Sequence, residues 1–140
     1  GVTFRLVTHP DVTVLFLDKK AVANDSGQNS RQKSEFVWGS EYGIGKQIKL
    51  RGAKPYRPVK LDGRDGIATS ATITRSDNAI DYGYLAVVQG DAKATDDTPN
   101  LLLLVQRTAA DANGRPPVSQ DELERIAGGI AASIRRRPVQ

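Results

Sequence analysis

Residues 67–88, IATSATITRSDNAIDYGYLAVV, set the architecture. Ile67–Arg75 and Ala79–Val88 are rich in β-branched and aromatic residues. Ser76-Asp77-Asn78 between them is turn chemistry, so the pair reads as an antiparallel hairpin. Ile80, Tyr82, Tyr84, Ala86 and Val88 recur at every second position and form one face of its second strand. Working outward, Leu101–Thr108 is apolar on both faces, as a central strand is, and follows the polar loop Gln89–Asn100. Val12–Leu17 has the same character at its later end. Val2–Val7 alternates through Val2, Phe4 and Leu6 and reads as a half-buried strand. His9-Pro10-Asp11 separates these two, because proline restricts its predecessor and Asp favours turns.

The centre of the chain is less ordered in pattern. Residues 19–34 have no sustained apolar period and are expected to form a long exposed excursion. Glu35–Trp38 and Lys46–Leu50 are short strand candidates. Leu61-Asp62-Gly63-Arg64-Asp65-Gly66 is dense in turn residues.

The C-terminal segment is a helix. Ser119 and Glu122 have capping-box spacing, with Val118 and Leu123 at the hydrophobic-staple positions. Leu123, Ile126, Ala127, Ile130, Ala131 and Ile134 follow on one helical face. Arg135, Arg136 and Arg137 complement the negative helix end and Pro138 stops it. Gly128 and Gly129 cost helix stability, and their expected use is close approach of the helix to a sheet. The fold expected is therefore α+β: a mostly antiparallel sheet of five or six strands with the C-terminal helix packed across one face, in a single domain over residues 1–140.

Composition narrows the chemistry. The 140 residues include no Cys, no Met and one His. Disulfides, thiolate nucleophiles, Cys-based zinc sites and multi-histidine metal sites are excluded. A first residue of Gly1 is expected to mark a processed or excised piece of a longer precursor. The formal net charge of +4 is uneven: residues 1–70 carry 12 Lys/Arg against 7 Asp/Glu. Most of the excess lies in Lys46, Lys49, Arg51, Lys54, Arg57, Lys60 and Arg64. Such a segment attracts an acidic partner or a phosphate backbone, and Tyr42 and Tyr56 lie within reach as stacking platforms or interface anchors. Its alternation with Ile48, Leu50 and Val59 is more simply a strand pointing its charges to solvent, and Pro55 and Pro58 forbid a continuous recognition helix.

Other motifs reduce to structure. Gly43-Ile44-Gly45-Lys46 lacks the spacing of a P-loop or a dinucleotide fingerprint and reads as a turn. His9 beside Pro10 reads as an exposed turn residue. Glu122 has a capping role, and Asp121 and Glu124 suit a helix N-terminus. Trp38 is expected in the core. No catalytic constellation is present in the sequence, and neither a cofactor nor a metal is implied.

The second half resembles a known family. Gly63-Arg64-Asp65-Gly66 leads into a strand, and Asp81-Tyr82-Gly83-Tyr84 lies on the aromatic second strand of a hairpin. Pro99 precedes the aliphatic Leu101–Leu104, Ser119–Glu122 caps a helix, and Ser133-Ile134-Arg135-Arg136-Arg137-Pro138 closes it. Over residues 50–140 this resembles the C-terminal domain of immunity proteins that neutralise type VI secretion lipase effectors. The resemblance implies a non-enzymatic periplasmic protein of Gram-negative bacteria, often a lipoprotein anchored through its precursor. Such a protein binds its cognate phospholipase and blocks substrate access or lid movement. On chemistry alone, Lys46, Lys49, Arg51, Lys54 and Arg57 are the candidates for steering that partner, and Tyr42 and Tyr56 for anchoring it. Two other readings stand beside this one: a PsbP-like periplasmic accessory module, and a nucleic-acid-binding domain using residues 46–64.

Overall fold

Seven strands form one open sheet in the computed structural model, which describes residues 2–19, 30–41, 47–90 and 99–135. In chain order the elements are β1 (Val2–Arg5), β2 (Val12–Lys19), α1 (Ser30–Glu41), β3 (Gln47–Leu50), β4 (Arg57–Leu61), β5 (Arg64–Thr74), β6 (Ile80–Val88), β7 (Asn100–Arg107), a 3-10 turn at Ala109–Asp111, and α2 (Gln120–Ser133). The sheet runs β1-β2-β7-β6-β5-β3, with β4 also on β5, and every described pairing is antiparallel. The turn at Gly43-Ile44-Gly45-Lys46, most of the loop Gln89–Asn100, and Arg136, Arg137 and Pro138 lie outside the described residues.

The hairpin at 67–88 forms as expected, with Ile67 opposite Val87 and Thr74 opposite Ile80. Its turn is closed by Asn78 N–H donating to the Arg75 carbonyl at 2.9 Å, and Asn78 takes a φ of 67°. A second hairpin joins β4 to β5 through Asp62 and Gly63, at φ 54° and 73°. Two successive positive φ values match the right-handed strand twist, which is why Asp-Gly serves there.

Both faces of the sheet are covered. On one, α2 lies over Val12, Val14, Tyr84, Ala86, Val88, Leu101, Leu103 and Val105, and contributes Leu123, Ala127 and Ala131. On the other, α1 sets Val37 and Trp38 against Ala71, Ile73, Leu85, Val87 and Leu104. The alternation of β6 and β7 between these two cores explains why neither strand has a polar face.

Two local expectations are corrected. Glu35–Trp38 is not a strand but the middle of α1, which also takes up the end of the supposed excursion at 19–34. Ser34, Val37 and Trp38 are its buried residues, at helical i, i+3, i+4 spacing, while Phe36 faces solvent. The basic run also contains an unforeseen strand, β4. Pro58 is tolerated within it because β4 has a strand neighbour on one side only among the described residues.

The α2 helix begins as expected: Ser119 Oγ accepts the Glu122 backbone N–H at 3.2 Å, and Val118 and Leu123 are both buried. It ends at Ser133, whose hydroxyl bonds back to the Ile130 carbonyl at 2.8 Å, and Ile134 is extended. The expected role of Gly128 and Gly129 is overturned. Both are exposed, and a Cβ at either position would meet nothing within 4 Å. Gly129→Ala is therefore expected to raise stability by about 1 kcal/mol, since it removes backbone entropy from the unfolded chain at no steric cost. Chemical denaturation checks this; a loss of stability would mean that the helix face is misassigned.

Candidate functional site

The basic segment lies along one margin of the sheet. β3 and β4 both pair with β5, end to end, so together they form a single edge interrupted by residues 51–56. Arg51 N–H continues the ladder by donating to the Ser70 carbonyl at 2.8 Å, and Gly52 at φ 88° then swings the chain outward. The resulting bulge ties both helix layers to the edge. On the α2 side, Arg51 donates to Asp121 and lies 3.7 Å from Glu124, while Arg57 Nη2 reaches Glu124 Oε2 at 3.3 Å and Ser70 Oγ at 3.1 Å. On the α1 side, the Arg31 guanidinium sits 4.7 Å over the Tyr56 ring.

These contacts sort the sequence candidates. Arg51 and Arg57 are held by the acidic first turns of α2, and the bond to Asp121 pushes the Arg51 pKa above its ordinary value. Partly exposed pairs of this kind contribute about 1 kcal/mol or less each, enough to fix the angle of α2 but not to dominate stability. Lys49 and Lys54 are exposed. Tyr56 is half-buried, and burial, the largest cause, raises its hydroxyl pKa. Tyr42 and Lys46 lie outside the described residues. His9 is half-exposed, with Nε2 3.7 Å from Glu122 Oε1, so the turn histidine also faces the α2 N-terminus.

The opposite margin carries a feature that charge-based reading passed over. Among the described residues β1 has a strand neighbour on one side only. Its Val2 and Phe4 are 57% and 44% exposed, and Val7 just beyond it is 93% exposed. Val2 and Phe4 share a face with Phe16, which lies opposite Val2. The half-buried strand expected over Val2–Val7 is corrected: the strand is Val2–Arg5 and all four of its residues are exposed, because alternation sets which residues share a face and not whether that face is covered.

A third feature is a cleft of about 330 Å³ between α2 and the β4 end of the sheet, lined by Val59, Lys60, Gly63, Tyr84, Gly128, Ala131, Ala132 and Arg135. It opens to solvent on one side. Gly128 thus contributes to an open surface rather than to a helix–sheet contact.

Among the described residues no group of three His, Asp or Glu side chains gathers as a metal site would require. No described helix is long and apolar enough to cross a membrane. Comparison with known family models, curated proteins and solved structures gives no match to this chain.

Proposed function

We propose that this domain works by binding, as an immunity protein that neutralises a cognate type VI secretion lipase in a one-to-one complex in the periplasm. The observation that carries the binding role is the exposed pair Val2 and Phe4 on β1, which has a strand neighbour on one side only among the described residues, with exposed Val7 in the segment that follows. An uncovered edge strand offers unpaired backbone groups, and exposed apolar residues beside it add area for a partner to bury. A strand or flat surface of the lipase laid against β1 would satisfy both. The resemblance of residues 50–140 supports the choice of partner, and the exposed Lys49 and Lys54 at the far margin supply positive charge for long-range steering.

The test is capture of the lipase encoded beside this gene, followed by its hydrolysis assay with and without the domain. A one-to-one complex with loss of hydrolysis is expected, and Phe4→Glu should weaken it at least tenfold while leaving the melting temperature in place. Normal hydrolysis and no complex would overturn the reading. Lys49→Glu with Lys54→Glu should slow association at low salt without unfolding the domain; equal on-rates would remove that margin from the encounter. Arg51 is left out of this reversal, because Glu there would face Asp121 and Glu124 and loosen α2.

A second reading, an accessory module that carries a small ligand, is favoured by the cleft beside Tyr84.

A further inference from the structure

The two margins of the sheet are built differently. The β3–β4 margin carries the devices that keep an edge from pairing: Pro58 lacks a donor, Lys49 and Lys60 stand exposed along it, and residues 51–56 break its line. β1 has neither proline nor lysine, and its one charged side chain, Arg5, lies 3.7 Å from Asp111.

The register of β1 shows which of its backbone groups are open. Val2 stands opposite Phe16 and Phe4 opposite Val14, so Leu6 falls opposite Val12. Leu6 N–H donates to the Val12 carbonyl at 3.1 Å, which makes these two a hydrogen-bonded pair. Such pairs alternate along an antiparallel ladder, so Val2 and Phe4 also turn their backbone groups toward β2. The far side of β2 keeps the complementary phase, with Thr108 N–H on the Asp11 carbonyl at 2.8 Å. Thr3 and Arg5 therefore point their N–H and C=O groups away from β2, where no described strand lies.

That edge is complementary to itself. With a two-fold axis at Phe4, Thr3 of each copy meets Arg5 of the other as a hydrogen-bonded pair, and the open groups of both residues are satisfied. Phe4 then faces Phe4 and Val2 faces Leu6, all on one side of the sheet. On that side Leu6 and Phe16 already pack on the α2 core, so the contact continues that core outward. An axis at Arg5 would oppose two guanidinium groups, and an axis at Thr3 would match only Val2, Thr3 and Phe4.

We infer that two copies of this domain pair antiparallel through β1 about a two-fold axis at Phe4, joining their sheets. A contact of one short strand is smaller than that of a permanent dimer, so the pairing is reversible and concentration-dependent. It goes beyond the lipase complex, which uses the same edge and would form from released monomer.

The experiment is sedimentation equilibrium of the 140-residue chain, without an N-terminal tag, from about 10 μM to 1 mM. A shift from monomer to dimer mass is expected, with no larger species. Phe4→Glu, which places two carboxylates at the axis, should stay monomeric throughout with an unchanged melting temperature. Oxidative cross-linking reads the register, since the natural chain has no cysteine. Phe4→Cys sets two thiols on a non-hydrogen-bonded pair with Cα atoms about 4.5 Å apart, within disulfide reach. Thr3→Cys leaves its two thiols on residues displaced along the strands, with Cα atoms beyond ~7 Å. Phe4→Cys should therefore cross-link at least tenfold faster. A monomer at every concentration, a dimer that survives Phe4→Glu, or equal cross-linking of the two cysteine variants would overturn the inference. All of these use the domain alone, so a failed lipase capture leaves the dimer standing, and a monomer leaves the lipase reading standing.

Discussion

Asp11→Ala is expected to lower the unfolding free energy by about 3 kcal/mol, although the residue lies in a turn and touches no apolar core side chain by way of its carboxylate. The reason is Val118, the last residue before the α2 cap. Its N–H donates to Asp11 Oδ2 at 2.8 Å, and its carbonyl accepts from Arg107 Nη1 at 3.1 Å. Asp11 and Arg107 are 2% and 7% exposed, so both bonds are made away from water. Arg107 also donates to the Ile80 carbonyl at 2.6 Å and stacks its guanidinium 4.2 Å over the Tyr82 ring. Truncating Asp11 leaves a buried N–H without an acceptor and loosens the entry of α2 into the core.

Asp11→Asn separates this account from a simple loss of charge, because an amide oxygen still accepts from Val118. It should cost clearly less than Asp11→Ala. Arg107→Met should cost a similar 3 kcal/mol, by leaving two carbonyls unpaired. The two lesions free the backbone of the same residue, Val118, on its two sides, so the double variant should cost less than the sum of the singles in urea unfolding. Full additivity would mean that the two side chains do not act through Val118.

Asp11 shows where sequence reading reaches its limit. Asp after His9-Pro10 matches turn chemistry, and a turn is present: Val12 N–H donates to the His9 carbonyl at 2.9 Å. Nothing local says that the carboxylate will meet a backbone N–H 107 positions later. The legible parts of the fold are those set by nearby residues. The 67–88 hairpin, the apolar strands at 12–17 and 101–108 and the Ser119 cap all follow from periodicity of 2 or 3.6 and from turn residues. Helix α1 was hidden because its buried face is Ser34, Val37 and Trp38, one polar residue and two apolar ones, while exposed Phe36 completes an apolar triplet that imitates a strand.

The same division holds for function. The sequence picks out positive charge, and it cannot say that Arg51 and Arg57 are spent on α2 while Lys49 and Lys54 are not. Those pairings depend on where the helix crosses the sheet. Gly83 is an intermediate case. An isolated glycine in a strand signals close approach, and here the Trp38 ring of α1 lies 3.0 Å from where a Cβ would stand. The identity of the approaching residue comes only from the fold.

Gly66→Ala is expected to be the most damaging single-methyl change in the chain, at about 3 kcal/mol, measured by the shift in denaturation midpoint. Gly66 lies in β5 opposite Val59 of β4. A Cβ built there falls 2.3 Å from the Val87 carbonyl oxygen and 2.6 Å from Val88 Cγ2. The Val88 methyl can rotate away, but the carbonyl belongs to the β6 backbone, held next to β5 in the Ile67–Val87 register. Relief requires β5 and β6 to part at the Ile67–Val87 end of their ladder. Gly63→Ala is the control three residues earlier. It has open space around the added methyl and a φ of 73°, so it should cost only the left-handed backbone strain, about 1 kcal/mol. A cost at Gly66 no greater than at Gly63 would show that the strands are farther apart than described here. The two glycines of Gly63-Arg64-Asp65-Gly66 thus answer to different constraints, one to a turn and one to strand proximity. A chain with this hairpin requires both whatever it binds, so the functional question rests on residues such as Phe4, whose exposure the fold itself does not demand.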